Sequence, residues 1–273
     1  MMFVSGTDSG VAFPVQPVDR EREGLLGPVS RIVAKTGPTM TIKTFDRAGI
    51  LIEAENRRTP PSDQPEVGDS VEKLVYTHDS KGNRTGEMIV ERDGEKYPSR
   101  RYAYDGAGNT IAEAAYHMCG TFSSLHIYTH DVHGRVQEDL AYQYRFIVRH
   151  VYRHDDRGRT VKELLYRNGT LQSTVESAYD QGGRLAEERA YLPDGALSRK
   201  AMYQYDDRGN RTGEEVIHPT HTSLNSKEVS AYEYDSTGNW IRRTTRRLII
   251  PVDDDGMPLS EPIEITERSM TYH

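Results

Sequence analysis

The chain has 273 residues and a net charge of -7, with 35% apolar and 28% charged residues. That apolar share and a mean hydropathy of -0.74 argue against a thick two-sided core, and the acidic balance excludes general nucleic-acid binding, which carries a basic surplus. Disorder is excluded by 17 tyrosines, because disordered chains are poor in aromatics.

In chain order, residues 1–24 read as a flexible tail. The start, Met1-Met2-Phe3-Val4-Ser5-Gly6, lacks the basic flank and apolar core of a signal peptide. Residues 25–55 read as an entry hairpin, with Arg31-Ile32-Val33-Ala34 and Thr39-Met40-Thr41-Ile42 as its strands. Beyond a first copy within the entry hairpin, the chain repeats over 71–250. Aligned on Asp followed three residues later by Gly, the copies are Asp46/Gly49, Asp79/Gly82, Asp105/Gly108, Asp131/Gly134, Asp155/Gly158, Asp180/Gly183, Asp206/Gly209 and Asp235/Gly238. Their usual spacing of about 24–26 residues is that of repeat architectures. A ring precedes each Asp, as in Phe45, His78, Tyr104, His130, His154, Tyr179, Tyr205 and Tyr234. Tyr recurs three before it, and an acid eight beyond it, as in Glu87, Glu113, Asp139, Glu163, Glu188 and Glu214.

The unit reads as a hairpin. Asp opening a type I turn can accept backbone N–H bonds, and Gly takes the positive φ that closes it. Tyr-x-Tyr places two rings on one strand face. A second turn follows at Asp93-Gly94, Cys119-Gly120, Asn168-Gly169 and Asp194-Gly195, strong hairpin signals where Asp or Asn precedes Gly. Residues 263–272 alternate as a closing strand. The expected fold is all-β, with about eight antiparallel hairpin repeats in one wide, curled sheet, open rather than closed. The unpaired edges of such a sheet invite self-association. No run approaches the ~18 apolar residues of a membrane helix, so no membrane span is expected.

The unit Tyr102-Ala103-Tyr104-Asp105-Gly106-Ala107-Gly108-Asn109, repeated at Tyr203-Gln204-Tyr205-Asp206-Asp207-Arg208-Gly209-Asn210, resembles the YD repeat of the Rhs (rearrangement hotspot) family. That family includes bacterial toxins, insecticidal toxin-complex subunits and teneurin ectodomains. The resemblance spans residues 25–272 and implies hairpins spiralling into a hollow shell, with secreted or cell-surface use. Eight copies are too few for a shell of the family's size, so the chain reads as a short stand-alone relative or a fragment of a longer gene product.

Few residues carry the marks of chemistry. His78, His130 and His154 occupy the ring slot, which makes them structural. A carboxylate in every copy is a scaffold feature that pairs with Arg or Lys across strands, although two of them about 5–10 Å apart would suit glycoside cleavage. Arg242, Arg243, Arg246 and Arg247 alternate across a strand. Cys119 is a lone cysteine, which excludes a disulfide or Cys-based zinc site. Three long connections, Asn56–Ser70, His218–Lys227 and Pro251–Pro262, fall on one sheet edge, and loop edges of repeat proteins often bind. Their polar clusters, His218 with His221 and Asp253-Asp254-Asp255, lack a complete metal-ligand spacing. The sequence thus points to a non-enzymatic scaffold without cofactor or metal. A curved Tyr-rich surface would contact protein or carbohydrate. The alternatives are encapsulation material of an Rhs-type toxin shell and, more distantly, a glycan-cleaving enzyme.

Overall fold

In a computed structural model of the chain, residues 19, 23–60, 70–117, 120–143, 145–252, 258–260 and 264–272 are described. The strands are β1 (Val29–Thr36), β2 (Thr39–Phe45), β3 (Leu51–Arg58), β4 (Ser70–His78), β5 (Arg84–Val90), β6 (Lys96–Tyr104), β7 (Thr110–Tyr116), β8 (Phe122–His130), β9 (Val136–Gln143) and β10 (Phe146–His154). They continue as β11 (Thr160–Arg167), β12 (Thr170–Tyr179), β13 (Leu185–Tyr191), β14 (Leu197–Tyr205), β15 (Arg211–Ile217), β16 (Ser226–Tyr234), β17 (Trp240–Val252), β18 (Pro258–Ser260) and β19 (Glu264–Tyr272).

Each strand from β1 to β17 pairs antiparallel with the next, as the repeat predicts, but the sheet is closed. β19 pairs with β17 through Arg242↔Glu267 to Thr245↔Glu264. On its other side it pairs with β1, from Val29↔Tyr272 to Thr36↔Thr266. The result is an 18-stranded antiparallel barrel, with the short β18 paired to the far end of β17. The open sheet expected from the sequence is therefore corrected. A twisted sheet this wide must curl, and the entry and closing strands meet at the seam, pairing the edges that an open sheet would expose.

Strand alternation separates an inner from an outer wall. Ile32, Phe45, Leu51, Ala54, Ala141 and Ala201 are buried and share one face by register. The exposed Val71, Ile127, Tyr142, Ile147, Val229 and Ile265 share the other. Ile42 is buried although it faces outward. A circular ring of this many strands, about 4.8 Å apart and tilted about 40°, measures on the order of 35 Å across. Its side chains cannot fill that width.

Among the described residues, a compact core forms at one end, where the N-terminal segment docks. Leu25, Val29, Ile32, Phe45 and Leu51 cluster there, with Tyr76 and Met270 packed against them. Residues 1–18 and 20–22 of the expected tail lie outside the described residues. Asp19 and Glu23 are tied down: Asp19 accepts from the Leu51 N–H at 2.9 Å and Glu23 pairs with Lys43.

Phe45 is 2% exposed, so Phe45→Ala should cost about 3–5 kcal/mol in urea unfolding. Phe122→Ala, at a side chain 57% exposed, should change stability by no more than about 0.5 kcal/mol. Equal losses at the two positions would contradict this placement of the core.

Candidate functional site: the inner tyrosine and carboxylate belt

The turns consume the repeat aspartates and glycines. In each of the eight, the Gly N–H donates to the carbonyl of the Asp three residues before it, at 2.9–3.1 Å: Gly49 to Asp46, Gly82 to Asp79, Gly108 to Asp105, Gly134 to Asp131, Gly158 to Asp155, Gly183 to Asp180, Gly209 to Asp206 and Gly238 to Asp235. The glycines take φ between 76° at Gly134 and 95° at Gly238, so Gly49, Gly158, Gly183 and Gly238, like the rest, shape the backbone and bring no side chain to a site. The carboxylates are engaged as well. Asp105 Oδ1 accepts from the N–H groups of Ala107 and Asn109, each at 2.9 Å, and its Oδ2 accepts from Asn109 Nδ2 at 2.8 Å.

Where Arg replaces Asn, the turns are also tied together: Arg135 Nε donates to Asp131 Oδ2 at 2.5 Å and Arg135 Nη1 to the Asp155 carbonyl at 3.1 Å. Burial opposes ionisation of Asp131, but the hydrogen bonds from Arg135 and His133 outweigh it and hold the carboxyl down at about 2. Where the ring before the Asp is Tyr it reaches the preceding repeat: the Tyr104 hydroxyl donates to the Arg84 carbonyl at 2.6 Å, that of Tyr179 to Thr160 at 2.7 Å and that of Tyr205 to Leu185 at 2.9 Å. The second turns at Gly94, Gly120 and Gly195 have the same hydrogen bonding. Among the described residues, only Asn168-Gly169 has positive φ at both positions, 48° and 82°, as a type I′ hairpin requires.

Between these turns the inner wall carries a belt. In five of the eight repeats the Tyr three before the Asp lies directly opposite the acid eight beyond it: Tyr76↔Glu87, Tyr102↔Glu113, Tyr128↔Asp139, Tyr152↔Glu163 and Tyr203↔Glu214. A third group joins them from five before the Asp. Arg100 bonds Glu113 at 2.7 Å, His126 Nδ1 bonds Asp139 at 2.9 Å, and His150 Nδ1 bonds Glu163 at 2.6 Å. His126 stacks on Tyr128 and His150 on Tyr152, each at 6.2 Å. Burial, then the neighbouring carboxylates, push the Tyr76 and Tyr152 hydroxyls up to about 12, so these rings present neutral O–H groups. The belt can donate and accept hydrogen bonds and offer ring faces from the same wall.

The other candidates fall as follows. His78, His130 and His154 lie on the inner face in the ring slot. Burial lowers the pKa of His78 despite Asp19, 4.0 Å away. His218 and His221 sit in the β15–β16 connection, where the His218 N–H donates to Asn225 Oδ1 at 2.6 Å and His221 is exposed. Asp253, Asp254, Asp255 and Cys119 lie outside the described residues. Among the described residues no group of His, Cys, Asp or Glu is placed to hold a metal ion. Arg243 and Arg247 face inward, Arg242 and Arg246 outward. Sequence reasoning overlooked Arg100, His126 and His150, although the phasing that located the tyrosines also places them.

No protein-family model matches the chain, and no curated protein is similar to it. Solved structures are. A porin-like protein from Bacteroides uniformis superposes with a TM-score of 0.52 at 9% identity, covering 90% of this chain and 99% of its own. A porin-like protein from Bacteroides vulgatus gives 0.33 at 13% identity, over 90% and 98% of the two chains. The Photorhabdus luminescens Tc holotoxin pore gives 0.21 at 12% identity, over 75% of this chain and 15% of its own. The first likeness shows a shared barrel fold and nothing finer. The other two carry no argument.

The bond to Glu163 raises the pKa of His150 against the effect of burial. A raised folded-state pKa stabilises fully below the unfolded value of about 6.5, and the contribution fades as pH rises through the folded value. The stability lost in His150→Gln, read from urea unfolding, should therefore be largest below about pH 6 and shrink toward pH 8. A loss that grows with pH would contradict the ion pair.

Proposed function

We propose that the chain is a non-enzymatic barrel whose inner wall binds a protein segment or a carbohydrate inside the lumen. The observation that carries this reading is the belt itself: Tyr and carboxylate side chains repeat around the wall only half-buried, and Tyr102, Glu113 and Tyr128 line a cavity of about 770 Å³. Aromatic faces beside hydrogen-bonding groups are how proteins hold sugars and peptide side chains alike. Repetition argues against catalysis, since each of these carboxylates is one of a series and most are engaged by a neighbouring cation, hydroxyl or imidazole.

The outer wall bears on whether the barrel lies in lipid. Ion pairs cross it at Glu138–Arg149, Lys162–Glu176 and Glu187–Lys200. A lipid-facing barrel carries an apolar band there, and a Lys or Arg at mid-bilayer costs about 2–4 kcal/mol. Porin-like architecture therefore comes here with a wall suited to water. A second reading, enclosure of a chain segment as in toxin shells, is favoured by the N-terminal segment, whose Asp19, Glu23 and Leu25 lie against the inner wall.

Glycan and peptide arrays probed with the wild-type protein and with Tyr102→Ala/Tyr128→Ala would test the reading. Capture by the wild type should weaken by about tenfold or more in the variant, with the far-UV spectrum unchanged. Binding that is equal in both proteins would move the contact surface away from Tyr102 and Tyr128.

A further inference from the structure

The repeat breaks at one place. From β7 to β14 the inter-repeat ladders keep one phase, in which the residue seven beyond a turn Asp pairs with the residue four before the next: Ala112↔Ile127, Glu138↔Val151, Lys162↔Glu176 and Glu187↔Met202. At β15–β16 the pair is Gly213↔Val229, two residues out of phase. An even slip preserves which face is inner but changes the partners, so Glu214 stands directly opposite Glu228. One strand further on, the position eight beyond the Asp, acidic in six of the other copies, holds Arg243. Like charges directly across a ladder destabilise a sheet. A scaffold gains nothing from that pair, and broken local rules mark functional sites.

A cavity of about 480 Å³ lies at this break, within the range of small-molecule sites. Three carboxylate–guanidinium pairs line it, at separations longer than a good hydrogen bond: Glu214 with Arg211 at 3.3 Å, Glu228 with Arg247 at 3.4 Å and Glu264 with Arg243 at 3.4 Å. The buried Arg243 Nε makes no hydrogen bond. Tyr232 adds a ring that also meets Trp240 at 5.9 Å and Tyr234 at 6.4 Å. The charges cancel, so an anion would meet carboxylates and a cation would meet guanidinium groups. A neutral polyol suits both, because each hydroxyl can donate to a carboxylate and accept from a guanidinium, while its C–H face lies against Tyr232. We propose that this cavity is a binding site for a neutral oligosaccharide. Glu214 belongs to both the belt and this cavity, but Tyr102 and Tyr128 do not line it, so equal array capture by the wild type and the double variant leaves it standing.

Trp240 is the chain's single tryptophan and reports on the site. The full chain would be titrated with maltotriose, cellotriose and xylotriose, following tryptophan fluorescence and calorimetric heat. At least one should saturate with a Kd below about 1 mM. Glu228→Gln should weaken it by about tenfold or more without lowering the thermal midpoint, since it removes one of two facing carboxylates. Glu176→Gln, on the outer wall, should bind as the wild type does. The proposal is overturned if no trisaccharide saturates by about 10 mM, if Glu228→Gln binds unchanged, or if citrate binds in their place.

Discussion

Everything in this molecule depends on the antiparallel pairing of β1 with β19. A ribbon of eighteen twisted strands has two edges, and each would present a row of unsatisfied backbone groups. From Thr36↔Thr266 to Val29↔Tyr272, the first and last strands satisfy each other. Side chains reinforce the seam: Thr36 and Thr266 hydroxyls meet at 2.7 Å, and Tyr272 donates to Asp235 at 2.9 Å. The last strand thus uses the same tyrosine-to-preceding-turn contact that joins Tyr234 to Asp206. The seam is built with the parts of the repeat.

Closure converts a sheet surface into a lumen. The tyrosines and carboxylates that would form one broad face of an open sheet become an inner wall. The apolar requirement is met locally, by Leu25 and Phe45 with their neighbours at one end. This is how a chain of such low hydropathy holds together. Stability is spread over ladders, turn carboxylates and cross-strand pairs, with burial concentrated where the N-terminal segment docks. It is alongside the seam, between β15 and β19, that the charge pattern departs from the repeat.

What was legible in the sequence was local. Asp105 and Gly108 lie three apart, and the turn they form needs nothing from elsewhere, so each such turn could be read directly. The seam could not be read, because Val33 and Ser269 meet across almost the whole chain and neither flank carries a motif. The two walls were equally hidden. Leu125 faces out and His126 faces in, yet both walls mix apolar and charged residues, so alternation gives no sidedness. Arg100, His126 and His150 were readable but obscured, since other copies place Ala201 or Ser230 in that slot. The facing of Glu214 and Glu228 depends on a ladder slip that no single-strand pattern encodes.

The most direct test of closure is a cross-link across the seam. Val33 and Ser269 are paired neighbours on the outer face, and directly opposed strand residues lie within disulfide reach. In a Cys119→Ser background, Val33→Cys with Ser269→Cys should oxidise at high dilution to a monomeric disulfide, seen by mass spectrometry and non-reducing gel. Free thiols, or disulfides formed only between chains, would contradict the closed barrel.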